Sequence, residues 1–572
     1  MQNGMSKKNG ADANNLNRAD APVINGADAI VESLKREGVG VVFGYPGASV
    51  LPLYEALRSS GIRHVLTRTE QGAGHAASGY ARMSGRPGVC VATSGPGATN
   101  LFTAIATAYS DSIPMIAVTG QAATYNLGRD VFQEIDATGA AEPFTKYTYL
   151  VKSAADIGRV FKEAFHICST GRKGPVLIDM PVDVQQARAK FDYPDIVDIR
   201  GYKPRFSGNA PQVKRVAEAI CSARRPLLCL GGGVFLSGAK KEAHDFCERA
   251  NLPVVTTLMG VGAMPRTHPL YCGMVGQSGG EAANYALSRA DVLILIGARV
   301  GDRAINKPAD LSGTIVVHID IDSAEIGKNM GTTVPLVGDA ARVLGQLSER
   351  EITGDWRQWL EELDGVRQRE QEKYDARKSG RRINDNQSAG SGPSCVDPVV
   401  FVRELSALLP DDSIYVADVG QNQIWSAKNF TSNGRFMTTG GMGTMGYSLP
   451  AAIGAQIACP GKTVLAVAGD GAFQMSMNEL ATVKKENLPI KIILMNNGSL
   501  GLVRELQVKE YAREFATDVA GWPDYGAIAA AYNIPYKRAC NTEQAVRYAR
   551  EALGGEGARI LECAIDPEEP SA

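Results

Sequence analysis

The chain has 572 residues and a formal net charge of -1, from 60 lysines plus arginines against 61 aspartates plus glutamates. At roughly 150 residues per domain, this length predicts three or four domains and excludes a peptide, a toxin or a single small module. The balanced charge excludes a broad basic surface for nucleic acid or anionic membranes, so we expect small-molecule partners. Glycine is frequent, at 62 residues, and the positions of the glycines are therefore informative.

The beginning of the chain is polar and contains Asp12 and Asp20, without the apolar core of a signal peptide. We predict a disordered tail over residues 1–22. No apolar run approaches the length of a membrane span. Ten cysteines are present, and none forms a Cys-x-x-Cys pair, so the sequence indicates neither a zinc site nor a disulfide framework. These features predict a cytoplasmic protein that does not enter a membrane.

Short β-branched runs alternate with longer alanine-rich amphipathic stretches along nearly the whole chain, the pattern of parallel sheets with helical crossovers. The predicted fold class is therefore α/β, with three doubly wound domains and mainly parallel sheets. Polar passages near 191–211 and 370–398 separate the domains. They give domains at 23–190, 205–350 and 395–572, with a helical, polar linker at 351–394.

The first and third of these domains look like copies of one design. Residues 89–93 (VCVAT) enter the turn 94–97 (SGPG), and an alanine-rich stretch then leads to Pro114 and a second apolar run. At positions higher by 375, residues 464–468 (VLAVA) enter the turn 469–472 (GDGA), and Pro489 precedes the next run. Chance similarity between two strand-helix-strand units remains the alternative, because all such units share this layout.

The third domain carries the most informative group of polar residues. Asp470 follows one predicted strand and Asn497 follows the next, at a separation of one strand-helix-strand crossover. Carboxylate and amide oxygens are hard ligands that suit Mg²⁺, which proteins often share with phosphate groups. Glycines on both sides of Asp470 let backbone N–H groups approach those phosphates at a helix N-terminus. The spacing therefore predicts a magnesium-held diphosphate, whereas Gly-Asp-Gly alone would more often be only a turn.

This motif resembles that of thiamine-diphosphate enzymes, and residues 23–566 resemble one family of them, the catalytic subunit of acetohydroxyacid (acetolactate) synthase. The matching motifs occur in one order: 43–47 (FGYPG), 70–73 (EQGA), 94–100 (SGPGATN), 132–134 (FQE), 318–322 (HIDID), 420–421 (GQ) and 440–446 (GGMGTMG). The resemblance implies that 23–190 binds the pyrimidine half of the cofactor and that 395–572 binds its diphosphate and Mg²⁺. The domain between them would be similar to an FAD-binding domain.

The resemblance also assigns roles to single residues. It implies metal ligation by Asp470, Asn497 and the main-chain carbonyl of Ser499, and a hydrogen bond from Glu70 to the pyrimidine ring. Without the other motifs, Glu70 would be interpreted as a solvated acid at a helix N-terminus. Implied contacts to the diphosphate end or the bent cofactor come from Gly420, Gln421, Asn422, Gly443, Met445, Gly469, Gly471 and Ala472. Asn422 stands where the family usually has histidine.

Substrate and flavin positions follow from the same resemblance. Arg303 matches the arginine that receives the carboxylate of the second keto acid, although a surface ion pair with Asp302 is the alternative. Phe132, Gln121 and Lys146 match positions that line the substrate channel. The positions that match flavin contacts are Gly231, Gly232, Gly233, Thr257, Leu258, Met259, Arg299, Asp320 and Asp339. Two departures, Ser278 for histidine and Gly301 for aspartate, affect this flavin group.

Three further departures concern specificity. Leu506 stands where the family usually has a tryptophan that favours 2-ketobutyrate over pyruvate as acceptor, and Ala48 and Ala123 replace a usual glycine and proline. Without the indole we expect a weaker preference for the larger acceptor, and altered sensitivity to inhibitors that bind this channel.

The functional hypothesis is a Mg²⁺- and thiamine-diphosphate-dependent acetolactate synthase, acting at the first common step of branched-chain amino acid biosynthesis. It would join the two-carbon unit of pyruvate to a second pyruvate or to 2-ketobutyrate, and FAD would be retained. The family arrangement implies a homodimer or tetramer, with Glu70 and Asp470 contributed by different chains, and permits a separate regulatory small subunit. The alternatives are another thiamine-diphosphate 2-keto acid decarboxylase or carboligase, and a non-catalytic flavin-binding protein.

Overall fold

Three six-stranded sheets carry the fold in the computed structural model, which describes residues 21–305, 311, 313–380, 395–521 and 523–571. Residues 1–20 of the predicted tail lie outside this range, and the first strand begins at Val23. Every neighbouring pair of strands within the three sheets is parallel. The predicted α/β class with doubly wound, mainly parallel sheets is confirmed.

The N-terminal domain has a sheet of order β3-β2-β4-β5-β7-β6, and a short antiparallel pair, β1 with β8, ties its two ends together. Its central strands are buried along their whole length, as expected where helices cover both faces of a parallel sheet. Its elements are β1 (Val23–Asn25), α1 (Gly26–Arg36), β2 (Val41–Gly44), α2 (Leu51–Arg58), β3 (Arg63–Leu66), α3 (Glu70–Ser84), β4 (Gly88–Ala92), α4 (Pro96–Ser110), β5 (Met115–Gln121), α5 (Ala137–Ala141), β6 (Tyr147–Leu150), α6 (Ile157–Ser169), β7 (Pro175–Pro181), α7 (Val182–Gln186) and β8 (Arg188–Lys190).

The middle domain has a sheet of order β11-β10-β9-β12-β13-β14, so the chain reverses its winding direction between β9 and β12. Ligands of open α/β sheets bind at such a reversal, beyond the carboxyl ends of the strands. Its elements are α8 (Ala210–Ser222), β9 (Pro226–Leu230), α9 (Gly233–Leu236), α10 (Lys240–Ala250), β10 (Val254–Thr256), β11 (Tyr271–Met274), α11 (Glu281–Arg289), β12 (Val292–Ile296), β13 (Ile315–Asp320), β14 (Val334–Val337), α12 (Ala340–Ser348) and α13 (Arg357–Lys378).

The C-terminal domain has a sheet of order β16-β15-β17-β18-β20-β19. Its elements are α14 (Pro398–Leu408), β15 (Ile414–Ala417), α15 (Gln421–Asn429), β16 (Arg435–Met437), α16 (Ser448–Ala458), β17 (Val464–Gly469), α17 (Asp470–Gln474), α18 (Leu480–Lys485), β18 (Lys491–Asn496), α19 (Gly501–Tyr511), α20 (Tyr525–Ala531), β19 (Tyr536–Ala539), α21 (Thr542–Gly554) and β20 (Arg559–Ala564).

The sheet orders of the first and third domains are the same once each strand is paired with its counterpart, which supports the predicted internal repeat. The two copies also pack on each other through α3 and α16. A Cβ atom at Gly79 would lie 2.0 Å from the carbonyl oxygen of Ala451, and one at Gly454 would lie 1.8 Å from that of Ala76. Both 454 minus 79 and 451 minus 76 equal 375, so the contact is reciprocal and the two domains are related by an approximate twofold axis.

The helix α13 corrects part of the predicted linker at 351–394. Trp359, Leu363 and Val366 lie on one face of α13 and are buried in the hydrophobic core of the middle domain. The part of the predicted linker that forms α13 therefore belongs to the middle domain. Its apolar residues recur at helical spacing, and the face that they form is stabilised by packing on that core. At its end, Arg377 donates to Asp397 at 2.6 Å and so reaches the C-terminal domain. Residues 381–394 of the predicted linker lie outside the described part of the chain.

All ten cysteines are free, and six of them are buried. Of the helices in the described ranges, none combines the length and the hydropathy that a membrane span requires.

Candidate active site

Asp470 and Asn497 lie side by side at one edge of the C-terminal sheet. Strands β17 and β18 pair in parallel, with Gly469 opposite Met495. Asp470 follows β17 directly and begins α17, and Asn497 follows β18. The crossover spacing in the sequence predicts that the two loops adjoin, and the pairing of β17 with β18 brings them together.

The Asp470 carboxylate has an unpaired oxygen in a buried position. Asp470 is 2% exposed, and its Oδ1 accepts the Gly471 backbone N–H at 3.0 Å. Its Oδ2 is buried without a hydrogen-bond partner among the described residues. Burial raises the pKa of Asp470 to about 6, against the opposing effect of backbone N–H groups around it. A buried carboxylate oxygen without a partner is costly, and a divalent cation beside it would compensate that charge. The donor set therefore fits Mg²⁺.

Gln421 and Asn422 are both buried at the start of α15. The Gln421 amide donates to the Glu569 carbonyl oxygen at 3.0 Å and accepts from Asn497 Nδ2 at 2.8 Å. Asn422 Nδ2 donates to the carbonyl oxygens of Asp418 and Val467, at 2.9 and 3.3 Å. The side-chain amides of both residues therefore already have protein partners, so their predicted diphosphate contacts would come mainly from the backbone at the helix N-terminus.

The glycine-rich segment 440–446 is held by two aspartates that sequence reasoning missed. Asp418 accepts the backbone N–H groups of Gly446 at 2.9 Å and Ser448 at 2.8 Å. Asp111, from the N-terminal domain, accepts the Gly441 N–H at 2.9 Å and forms an ion pair with Arg82 at 2.7 Å. Asp418 follows a buried strand two residues before Gly420, and that placement is the signal that could have found it. These carboxylates fix the segment that contains Gly443 and Met445.

Met445 lies beside the Gly-Asp-Gly turn, since its Cε is 3.6 Å from where a Cβ at Gly471 would stand. The same Cβ would be 2.6 Å from Leu500 Cδ2, so a larger residue at position 471 would have to displace the Leu500 side chain. Ala472 is buried behind it. Ser499 donates its N–H to Asn497 Oδ1 at 3.1 Å, which places the main chain of Ser499 next to the two side-chain oxygens.

Glu70 begins α3 at the carboxyl edge of the N-terminal sheet. Thr69 caps this helix by accepting the Gly72 N–H at 3.0 Å. Asn100 Nδ2 donates to Glu70 Oε2 at 3.1 Å, and a Cβ at Gly97 would lie 3.5 Å from Glu70 Oε1. The carboxylate thus faces the N-terminal turn of α4. Among the described residues no hydrogen bond or ion pair joins Glu70 to Asp470 within one chain.

Both N–H groups of the Gln121 side-chain amide are already donated within the protein. Its Nε2 donates to the Ile135 carbonyl oxygen at 2.6 Å and to Asp179 Oδ2 at 2.9 Å, and its Oε1 accepts the Ala122 N–H at 2.8 Å. Gln121 is 3% exposed. Gln121 therefore holds the chain that leads from Phe132 into α5, and its contact with a substrate stays a prediction.

Lys146 does not lie near Gln121. It pairs with the start of β7 at Pro175, whereas Gln121 pairs with its end at Pro181. At roughly 3.3 Å per residue this separates the two by about 20 Å along the strands. Its ammonium donates to Thr170 O at 2.8 Å and Tyr202 Oη at 2.9 Å. Burial lowers the pKa of Lys146 to about 8. The predicted place of Lys146 in the substrate channel is therefore corrected to a structural role, in which its ammonium holds the end of α6.

Asp179 provides a test of how this region is held together. It is 1% exposed, accepts from Thr119 Oγ1 at 2.6 Å, and burial raises its pKa to about 7. Because the folded-state pKa exceeds that of the unfolded chain, the unfolded chain ionises first, so the free energy of unfolding falls between about pH 4 and about pH 7 and the penalty is absent below about pH 4. We expect Asp179→Asn to be more stable than the wild type at pH 8 by roughly 3–4 kcal/mol, and nearly equal at pH 4. Urea unfolding at both pH values measures this, and an equal difference at both would contradict it.

A cavity of about 730 Å³ opens where the three domains meet. It lies at the winding reversal of the middle sheet, the expected position for a dinucleotide. Arg299, Asp320 and Asp339 line it together with Gly232 and Gly233, and its far wall includes Gly440 and Gly443. Burial raises the pKa of Asp320 to about 6, and Asp339 caps α12 by accepting the Ala341 and Arg342 N–H groups.

Gly231 lies behind the cavity wall, whereas the sequence predicts a flavin contact for it. A Cβ at Gly231 would lie 2.1 Å from the Gly297 carbonyl oxygen, and Gly231 does not line the cavity. It allows the loops after β9 and β12 to pack, so that Gly232 and Arg299 face the cavity.

Arg303 also lines this cavity, and it is exposed. Its Nη1 donates to Gln277 Oε1 at 3.3 Å, and only its backbone N–H contacts the Asp302 carboxylate, at 2.9 Å. A surface ion pair with Asp302 is therefore not formed, and the guanidinium keeps donors free for an incoming carboxylate.

A separate cluster on the middle domain contains His244, Glu248 and His268, with ligand atoms within 4.8 Å of one another. Glu248 lies 3.3 Å from His268 Nε2 and 3.5 Å from His244 Nδ1. His268 Nδ1 accepts the Leu270 N–H at 3.2 Å, so the neutral ring carries its proton on Nε2 and gives it to Glu248. That proton occupies the position a metal would need. We therefore assign hydrogen bonding, not metal ligation, to this cluster.

Each of the three domains matches a family model. Residues 24–140 match the model of the thiamine pyrophosphate enzyme N-terminal TPP binding domain, 213–347 match the central domain, and 418–563 match the C-terminal TPP binding domain. The chain belongs to the thiamine pyrophosphate enzymes. The three matches follow the three sheets, and the Asp470 turn and the Glu70 helix lie in the two TPP binding domains.

Within this enzyme family the chain is similar to acetolactate synthases along most of its length. It is 42% identical to the probable acetolactate synthase large subunit of Methanocaldococcus jannaschii, over 96% of this chain and 93% of that protein. It is 44% identical to the acetolactate synthase of Mycobacterium bovis, over 87% and 80%. It is also 44% identical to the large subunit from Corynebacterium glutamicum, over 87% and 79%. The resemblance found in the sequence motifs is confirmed.

Proposed function

We propose that this thiamine-pyrophosphate enzyme is an acetolactate synthase that condenses two molecules of pyruvate into 2-acetolactate and CO₂, or pyruvate with 2-ketobutyrate. Thiamine diphosphate supplies the nucleophilic carbon and electron sink that decarboxylation of a 2-keto acid requires. The observation that carries the proposal is a buried Asp470 oxygen that has no partner and lies beside Asn497. A carboxylate at Glu70 accompanies it, in a chain that is similar to acetolactate synthases over most of its length.

We assign the divalent cation to Asp470, Asn497 and the main-chain carbonyl of Ser499. Their oxygens are hard donors at one sheet edge, where Mg²⁺ bound to them would be shared with the diphosphate. The Gly471 N–H is donated to Asp470 Oδ1, so it is the positive N-terminal end of α17 as a whole that favours the anion. Glu70 would hold a proton at the pyrimidine ring, oriented by Asn100.

FAD is proposed as the occupant of the cavity between the domains. The volume of about 730 Å³, the winding reversal and the glycines at 232 and 233 support a flat dinucleotide there. Arg172, which also lines the cavity, is paired with Glu325 at 2.7 Å and with Asp322 at 3.2 Å, so its charge is already compensated. Arg299 is the cavity cation that we assign to an anionic group of the flavin nucleotide.

We further propose a homodimer, in which Glu70 of one chain meets Asp470 of the other, as a minimum assembly that also permits a tetramer. Large apolar side chains are exposed in both cofactor-binding domains, which supports a covering partner: Tyr45, Leu51, Tyr125, Phe132, Met442, Met475, Leu506, Tyr511 and Phe515. A separate regulatory small subunit is proposed because several relatives carry the name large subunit.

The direct test incubates the purified protein with Mg²⁺, thiamine diphosphate, pyruvate and 2-ketobutyrate together, with and without FAD. We expect 2-acetolactate and 2-aceto-2-hydroxybutyrate, both dependent on thiamine diphosphate. Acetaldehyde as the main product would indicate a simple decarboxylase instead. Equal rates without FAD, in protein that carries no bound flavin, would count against FAD as a cofactor.

Leu506 provides a prediction about the acceptor. It lies on α19 and is 50% exposed in the single chain, so packing within the chain leaves room for a larger side chain. We expect Leu506→Trp to shift the product ratio toward 2-aceto-2-hydroxybutyrate by about 10-fold, because apolar pocket contacts of this size contribute roughly 1–3 kcal/mol of discrimination. Competition between the two acceptors measures the ratio, with Val508→Trp on the same helix as the matched control. An unchanged ratio would remove Leu506 from the acceptor pocket.

A further inference from the structure

Gln421 connects two distant parts of the C-terminal domain through one side-chain amide. It is 5% exposed. Its Nε2 donates to the Glu569 carbonyl oxygen at 3.0 Å, and its Oε1 accepts from Asn497 Nδ2 at 2.8 Å. The side chain therefore lies between the carboxy-terminal segment and a residue assigned above to the cation.

The orientation of the Asn497 amide matters because its two ends differ chemically while having nearly the same shape. The oxygen can bind a cation, and the NH₂ group cannot. With Gln421 Oε1 at 2.8 Å, the favourable orientation points Nδ2 toward Gln421 and leaves Oδ1 on the side where it accepts the Ser499 N–H at 3.1 Å. Oδ1 retains a second lone pair for a cation.

The orientation of the Gln421 side chain is itself determined by a backbone carbonyl group. The Glu569 carbonyl oxygen only accepts hydrogen bonds, so it selects the Nε2 end of Gln421 and turns Oε1 toward Asn497. The Glu569 side chain is held by Arg377, and the neighbouring Pro570 carbonyl accepts from Trp425 Nε1 at 2.8 Å. Ser571 donates twice to the Glu505 carboxylate, at 2.6 Å each.

Gly501 leaves the space that both amides occupy. A Cβ at this position would lie 1.9 Å from Gln421 Oε1 and 2.6 Å from Asn497 Nδ2. Its backbone is ordinary helix, so the requirement for glycine comes from packing against the two amides, not from conformation. Any larger residue at 501 would displace at least one of them.

We propose that Gln421 is a positioning residue that transmits the fixed polarity of the Glu569 carbonyl to Asn497, so that the Asn497 oxygen faces the divalent cation. This inference rests on the proposed cation site at Asp470 and Asn497. It differs from the diphosphate contact expected for Gln421 from its sequence motif, because the side chain acts through Asn497. The carboxy-terminal segment thereby contributes to cation affinity without touching the cation.

The test measures binding of Mn²⁺, the probe cation, to the full-length protein with thiamine diphosphate, from the loss of the free Mn²⁺ electron paramagnetic resonance signal. We expect Gln421→Met to weaken Mn²⁺ binding by about 10–100-fold, the usual effect of removing a residue that orients a metal ligand. Gln456→Met is the matched control, because Gln456 is a buried glutamine whose amide, within the described part of the chain, donates only to the turn after α16. Its Mn²⁺ affinity is expected to equal that of the wild type.

A double-mutant cycle separates orientation from simple loss of a contact. Asn497→Asp gives the side chain two equivalent oxygens, so its orientation no longer matters. In the Asn497→Asp background, Gln421→Met is expected not to weaken Mn²⁺ binding by more than about threefold, because there Gln421 Oε1 only faces a carboxylate oxygen that cannot donate to it. A 10–100-fold loss in that background as well would overturn the proposal.

Gly501→Ala provides the second variant, which decides the question if Gln421→Met does not fold. It retains both amides but displaces them, and we expect a loss of Mn²⁺ affinity similar to that of Gln421→Met. Wild-type affinity in a folded Gly501→Ala or Gln421→Met protein would overturn the proposal. Failure of the wild type itself to bind Mn²⁺ with thiamine diphosphate would instead contradict the proposed cation site.

Discussion

Replacing Glu70 by glutamine is expected to lower kcat for acetolactate formation by about 10²–10⁴-fold, the usual contribution of a positioned acid–base group. Glutamine keeps the size of the side chain and can still accept the hydrogen bond that Asn100 gives at 3.1 Å. It cannot exchange a proton with the pyrimidine ring. The loss should therefore appear in kcat, with thiamine-diphosphate affinity changed much less.

The control for this variant is Glu55→Gln. Glu55 lies on α2 in the same domain and is exposed, and its partner is Arg58 one helical turn away, so its removal should leave the rate unchanged. Circular dichroism and thermal unfolding would establish that both variants are folded. Activity within threefold of the wild type in folded Glu70→Gln protein would refute the assigned role of Glu70.

Asp470→Asn is expected to weaken Mn²⁺ binding with thiamine diphosphate by more than about 100-fold, since even residues that only orient a ligand cost roughly 10–100-fold. The fold should not suffer. The pKa of Asp470 is raised to about 6 in the folded protein, so ionisation at pH 7 costs stability that a neutral amide does not. Without cofactor, the variant should be at least as stable as the wild type at pH 7. Calorimetric unfolding without ligand and Mn²⁺ titration with thiamine diphosphate measure the two effects.

Mixing the two inactive variants tests the shared site. If Glu70 and Asp470 meet across a dimer, a hybrid of one Glu70→Gln chain and one Asp470→Asn chain contains one intact pair. Hybrids isolated with two different affinity tags should then recover about half of the wild-type activity. Homodimers of either variant should stay inactive. No recovery in purified hybrids would mean that both residues act within one chain.

The sequence predicted the architecture because the relevant signals are local. Alternating β-branched and alanine-rich segments predicted parallel sheets, and the offset of 375 residues predicted the repeated domain. The crossover length between Asp470 and Asn497 predicted that their loops adjoin, and β17 and β18 pair accordingly. Each of these inferences uses only the period of an element or the length of a connection.

The residues whose contacts sequence reasoning did not predict have partners that are distant in the chain. Lys146 is held by carbonyl groups at the end of α6 and by Tyr202, and Gln121 is held by Asp179. The missed Asp111 and Asp418 bind backbone N–H groups of one glycine-rich segment. The motifs contain the residue types at these positions but not the partners that occupy their hydrogen bonds.

The sequence by itself determined the α/β class, the repeated domains, the family and the two carboxylates of the candidate site, since periodicity and motif order are properties of the chain alone. Only the tertiary structure decided which polar side chains remain available for ligands. A buried amide or ammonium must satisfy its hydrogen bonds, and the folded protein already does this for Gln121, Lys146 and Gln421, whereas Asp470 Oδ2 is left without a partner.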